Sequence, residues 1–307
     1  MCISNLIQKW SSLVPTAKMV IVTDDVQKKI ALAIQDEGVY DVRIEYYSQT
    51  EDFADTMKSL SSLKESDLLL VMLSADTFVK GGANRFFSLF GKPEGIQAKY
   101  VFVRLDISQK SLVQGLFTEK KAVYDKIDQM NRIRPEETVR VTNKSGTDIS
   151  FKIKPFTTCS HEITEDGGMA FLPPSETSSE VITETANGKI VIDITVGQLY
   201  HFGQLVGYFG LVKSPITLVV ENGIIADITG DSMASEFREK LFGLPADCRK
   251  IVELGQGLSD MEPTGLIGVD ESIIDSCHFG FGDGGSCGTH LDVVISNPVI
   301  EHSTKIL

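Results

Sequence analysis

AKMVIVTDD, residues 17–25, is a short apolar run ending on two aspartates, and VQKKIALAIQDEG (26–38) follows it with helical spacing and a glycine stop. DVRIEYY (41–47) alternates as a strand does, and EDFADTMKSLSSLKES (51–66) returns to helical spacing. DLLLVMLSA (67–75) and YVFVRLDIS (100–108) are near-continuous apolar runs, the pattern of strands buried on both faces. SLVQGLFTEKKAVYDKIDQMNRI (111–133) reads as one long amphipathic helix. Strand alternating with helix predicts an open, mostly parallel sheet covered by helices.

The pattern changes near residue 136. VRVTNKSGTDISFKIK (139–154) has period two and breaks at Ser145-Gly146, a hairpin signal. TANGKIVIDITV (185–196) and ITLVVENGIIADITG (216–230) repeat that period, with Asn-Gly pairs at Asn187-Gly188 and Asn222-Gly223 that predict turns. SMASEFREKLFGLP (232–245) is the one clear helix, and LDVVISNPVI (291–300) reads as a closing strand. The expected fold is therefore an α/β N-terminal domain over residues 1–135, with a mostly parallel open sheet. A β-rich α+β domain over residues 136–307 follows and carries the functional site, the boundary falling at RIRPEE.

Composition narrows the function classes. The formal net charge of −13 argues against a nucleic-acid or anionic-membrane binder, since both need a basic surface. Cys2, Cys159, Cys248, Cys277 and Cys287 are scattered without CxxC spacing and read as reduced thiols. MCISNLIQKWSSLVP is too polar for a signal peptide, and no apolar run has the length of a membrane span, so a cytoplasmic protein is expected. No GxGxxG follows the first strand, and KGGANRFF (80–87) lacks phosphate-loop spacing. Asp24-Asp25 and this glycine pair are therefore read as turn, cap and solvated face.

HFGFGDGGSCGTHLDVV (278–294) holds the candidate chemistry. His290 and Asp292 are two apart, so on a strand they share a face. The glycines between His278 and His290 allow the chain to fold back and bring His278 to the same place. Two imidazoles and a carboxylate suit Zn²⁺, Fe²⁺ or Mn²⁺. A phosphate loop is disfavoured, because no lysine or arginine occurs between residues 251 and 304 to assist the glycine amides. His161, His201 and His302 have no carboxylate at ligand spacing and are assigned to structure or solvent. Cys277 should face away from the site if its segment is extended, while Cys287 could approach a metal as a soft ligand.

Several stretches of the second half resemble the aminopeptidase T family of metallopeptidases. GTDISFKIK (146–154) resembles its opening hairpin, and MAFLPPSETSSEVITETANGKIVID (169–193) resembles its Pro-x-Gly-Glu segment. VVENGIIADITG (219–230), IVELGQGLS (251–259), HFGFGD (278–283) and THLDVV (289–294) resemble its Asn-Gly hairpin, its Glu-Leu-Gly segment and its last two ligand segments. The resemblance implies Glu176, Glu253, His278, His290 and Asp292 as metal ligands. It also implies a pair of divalent ions (Zn, Mn or Co), Glu176 as general base, and a homodimer. The activity so implied is a metal-dependent hydrolase that cleaves peptide N-termini with a metal-activated water.

The chain departs from that pattern at Ser175, where the family has glycine. It has no tyrosine after Tyr208 to serve as the family's site tyrosine, and its stretch between the two histidines is short. Two alternatives stand beside the hydrolase. One is a non-catalytic member that binds a peptide or small molecule. The other is a mononuclear non-haem iron dioxygenase using His278, His290 and Asp292 as a facial triad, since a dihydroxypyridine ring-opening dioxygenase is similar to this family.

Overall fold

The computed structural model describes residues 2–11, 13, 17–47, 54–87, 92–159, 169–283 and 285–302. The chain divides into two compact units, Met1–Thr118 with Cys159–Ser175, and Glu119–Thr158 with Glu176–Leu307. Among the described residues no helix is long and apolar enough to cross a membrane.

The first unit is built on five parallel strands in the order Asp41–Tyr46, Lys18–Thr23, Leu68–Met72, Lys99–Val103 and Met169–Leu172. Leu68–Met72 and Lys99–Val103 are buried at every position, which is why their sequences are apolar without alternation. One face packs Val20, Val22, Leu69, Val71, Tyr100 and Phe102 into a core, with Phe78 set edge-on to Phe102 at 5.3 Å. Asp24 is a buried cap whose carboxylate accepts from the backbone of Val26, Gln27 and Ser74 and from the Ser74 hydroxyl. Asp25 pairs with Lys28 at the surface, 2.8 Å away.

The helix expected over 111–133 is two helices, Gln109–Phe117 and Lys120–Asn131. Thr118 and Glu119 take extended ψ values of 130° and 127°, which end one helix and start the next. The apolar period runs through the break, so periodicity alone could not show it.

The second unit is a largely antiparallel sheet. Its path runs Gly210–Leu211, Thr195–Val196, Leu291–Ser296, Ser276–Phe281, Ile251–Gly257, Glu176–Ile192, Asp148–Ile153, Thr138–Thr142 and Val299–His302. Glu176–Ile192 is long enough to pair with Ile251–Gly257 near its start and with Ile216–Glu221 near its end. Asn222 and Gly223 form the expected turn, with φ of 48° and 78°. Asn187-Gly188 does not turn. It lies inside the long strand, where Gly188 has φ of +138° and a Cβ would overlap the Asp148–Ile149 backbone, so both conformation and close approach require glycine. Ser232–Phe242 is helical and capped by the Asp231 carboxylate, which accepts from Met233 N at 2.9 Å. Phe151, Phe237, Phe279 and Phe281 anchor the core of this unit. An α/β unit with a parallel sheet and a β-rich unit are what the hydrophobic patterning predicts.

Candidate metal centre

Four adjacent strands of the second unit, Glu176–Ile192, Ile251–Gly257, Ser276–Phe281 and Leu291–Ser296, pair antiparallel. Opposed residues in such a ladder share a face, and period two keeps alternate residues with them. The register puts Glu180, Glu253, Gly280 and Asp292 in one row, and Ser178, Gly255, His278 and Val294 in the next. Glu176 opposes Gly257 on the same face. The intervening Leu254, Cys277, Phe279, Phe281, Leu291 and Val293 point into the core. Apolar burial on one face thus fixes the register that gathers the polar residues on the other.

Two glycines make room for them. A Cβ on Gly255 would overlap the His278 imidazole at Cε1 and Nε2. A Cβ on Gly280 would lie 2.9 Å from Glu253 Cβ, 3.0 Å from Asp292 Oδ1 and 3.1 Å from His290 Cε1. Neither glycine has positive φ, so both are needed for space and not for conformation. The sequence places Gly255 in the Glu-Leu-Gly segment and Gly280 among the glycines expected to let the chain fold back, but shows neither as a seat for a side chain. Their signal, glycine at alternate positions beside the acidic and histidine residues, becomes readable only once the strand register is known.

The polar groups are in close contact. His278 Nε2 is 2.8 Å from Glu176 Oε2 and 4.0 Å from Glu253 Oε1. His290 Nε2 is 3.4 Å from Glu253 Oε2 and 3.3 Å from Asp292 Oδ1. His290 Nδ1 lies 3.2 Å from the Gly282 carbonyl, which can only accept, so Nδ1 carries the proton and Nε2 is the atom turned to the carboxylates. His278 is 2 % exposed and its Nδ1 has no hydrogen-bond partner, so Glu176 and the groove over Gly255 hold the ring.

Charge follows from this packing. Burial works to lower the His278 pKa, but the charge and hydrogen bond of Glu176, with Asp292 and Glu253 beyond, push it up to about 10. The Asp292 charge, outweighing burial, pushes His290 well up too, although water screens part of this at 42 % side-chain exposure. Burial works to raise Glu253, yet the His290 hydrogen bond and the charges of His278 and His290 hold it down to about 2. Without a metal, the two imidazoles carry protons that offset only part of the charge of the three carboxylates.

The donor atoms form two groups, Glu176–Glu253–His278 and Glu253–His290–Asp292, with Glu253 common to both. All five residues singled out in the sequence therefore meet in one place. Nitrogen and carboxylate donors gathered where protons offset only part of their charge suit a divalent cation. Cys277 faces the core, where burial pushes its thiol up, and Cys287 donates to the Thr289 carbonyl and joins neither group. His201 Nδ1 contacts Thr289 Oγ1 at 3.1 Å, and His302 pairs with Glu137 at 3.2 Å. His161 lies outside the described residues. A cavity of about 880 Å³ opens beside the cluster, lined by Glu253, His290, Ser178, Glu180, Val252, Lys154 and Asp283 among others.

The sequence model of the NicX, 2,5-dihydroxypyridine 5,6-dioxygenase family matches residues 19–260. The chain belongs to this dioxygenase family. Its fold is that of the 2,5-dihydroxypyridine dioxygenase from Pseudomonas putida KT2440, with a TM-score of 0.60 and 15% identity over 97% of this chain and 93% of the other. It is equally that of wild-type AmpT from Thermus thermophilus, with a TM-score of 0.59 and 12% identity over 98% and 94%. No curated protein matches the chain by sequence.

Membership in the dioxygenase family overturns the hydrolase, aminopeptidase and metallopeptidase reading. The likeness to AmpT is one of fold. The error has a chemical origin. The hydrolase is what the motif resemblance to aminopeptidase T implies, and the imidazole and carboxylate donors within those motifs suit both a metal-activated water and an oxygen-using iron.

Proposed function

We propose that this protein is a metal-dependent dioxygenase that opens the ring of a small hydroxylated aromatic molecule. The observation that carries the reading is the gathering of His278, His290 and Asp292 about Glu253, which belongs to both donor groups, in a chain whose family is defined by 2,5-dihydroxypyridine 5,6-dioxygenase. These three residues would hold the ion, with Glu253 between the two imidazoles and Glu176 against His278. A bound iron(II) would supply open coordination positions for substrate and O₂.

The chain's own groups have separate tasks in this reading. Gly255 and Gly280 leave space for the imidazoles to reach the carboxylates. The Gly282 carbonyl fixes the His290 tautomer. Glu253 lines the cavity beside His290 and is placed to accept a hydrogen bond from a substrate hydroxyl. Ile182 and Val252 give the cavity apolar wall against which a ring can lie.

The test uses protein loaded anaerobically with iron(II), then given O₂ and 2,5-dihydroxypyridine. Equimolar consumption of O₂ with loss of the ring's ultraviolet absorption is expected, and His290→Ala and Asp292→Ala should abolish both. Iron-loaded protein that consumes no O₂ with dihydroxylated pyridines or benzenes would overturn the proposal.

A further inference from the structure

The hairpin of Leu199–His201 and Gln204–Gly207 is a two-stranded sheet of its own, apart from the ladder that carries the candidate ligands. Its tip is unusual for an exposed turn. Phe202 is 68 % exposed and has φ of +45°, a conformation that a bulky residue rarely takes without cause. Phe202 N donates to the Gly288 carbonyl at 2.7 Å. Its ring lies over Gly288 so closely that a Cβ there would come 2.6 Å from Phe202 Cδ1. The neighbouring His201 places Nδ1 3.1 Å from Thr289 Oγ1, and its ring meets Phe202 edge-on at 4.7 Å.

Gly288 and Thr289 immediately precede His290. Thr289 is 1 % exposed, so its hydroxyl is a buried anchor point. Earlier in the same approach, Asp283 accepts from Cys287 N at 2.9 Å. The segment that presents His290 is thus fixed before it by the Asp283 turn and beside it by the hairpin tip. The approach to His290 is glycine-rich and has little stiffness of its own.

We propose that His201 is a positioning residue for His290, acting through Thr289, with Phe202 clamping Gly288. This rests on the reading of His290 as a metal ligand. His201 does not touch the cluster. It sets the backbone from which the His290 imidazole projects, and its loss should loosen the metal site while leaving the sheet intact.

Full-length metal-free protein titrated with Co²⁺ tests this through the visible absorption of the bound ion, which reports ligand geometry. His201→Ala should weaken Co²⁺ binding by about 10-fold or more, the scale of lost outer partners, and should alter the visible band. His201→Asn, which can place a polar atom near the Nδ1 position, should restore both. Thr289→Val, which removes the hydroxyl and keeps the volume, should reproduce His201→Ala and covers the case in which that variant does not fold. Melting of the metal-free variants should match wild type. His201→Ala and Thr289→Val with wild-type affinity and spectrum, while His290→Ala loses Co²⁺, would overturn the positioning role alone. Wild-type binding by His290→Ala would overturn the ligand reading and the inference with it.

Discussion

Replacing Gly255 with alanine adds one methyl group where the His278 imidazole lies. The new Cβ would overlap Cε1 and Nε2 of the ring, so the ring must leave its place. It has little room to do so, since His278 is 2 % exposed and is held by Glu176 at 2.8 Å. Gly255 φ is not positive, so alanine suits the backbone and the whole effect falls on the ring. Overpacking of this kind costs about 1–3 kcal/mol. In a domain of this size that lowers the melting temperature by roughly 2–4 °C per kcal/mol. A displaced ligand is expected to weaken metal binding further, by about 100-fold or more, since misplacing even an outer partner costs about 10–100-fold. Equilibrium dialysis of the metal-free protein against iron(II) or Co²⁺ gives the affinity, and thermal unfolding of the same samples gives the stability. Gly268→Ala is the control, because a Cβ there meets nothing within 4 Å. Gly255→Ala that binds metal as wild type does would refute the claim that this glycine exists to seat His278.

Metal uptake at pH 7 should release protons, because His278 is held up at about 10 and His290 is raised as well. Calorimetry in two buffers of different ionisation enthalpy reads the number released, and binding should tighten as pH rises toward those values. A heat independent of buffer would contradict the protonated metal-free site. Phe279→Ala, on the opposite face of the same strand and edge-on to Phe151 at 6.2 Å, should destabilise the second unit by about 3–5 kcal/mol. Chemical denaturation measures it, and a loss below about 1 kcal/mol would mean the ring is not part of the core. Asp231→Ala should cost about 1 kcal/mol through the lost cap of Ser232–Phe242 and leave metal binding unchanged.

The periodicities of the first third and of the β-rich half were readable because burial on one face imposes period two and burial on both erases it. The spacing of His290 and Asp292 was readable for the same reason. Two local features were hidden. The break at Thr118–Glu119 lies inside a continuous apolar period, and Asn187-Gly188 carries a turn signal at a place where another strand passes too close for a side chain. The seats at Gly255 and Gly280 depend on which strands pair and in what register, and the sequence does not state pairing. The reaction was the least readable property. Imidazole and carboxylate donors specify that a cation fits and leave open whether water or O₂ is activated there.

The most direct measurement is ring opening under ¹⁸O₂ by protein loaded with iron(II), with 2,5-dihydroxypyridine as probe and the product read by mass spectrometry. The account predicts a ring-opened product that carries both atoms of the labelled gas, formed by wild type and not by His290→Ala. A product whose new oxygen comes from water, or an intact ring in the presence of bound iron, would contradict it.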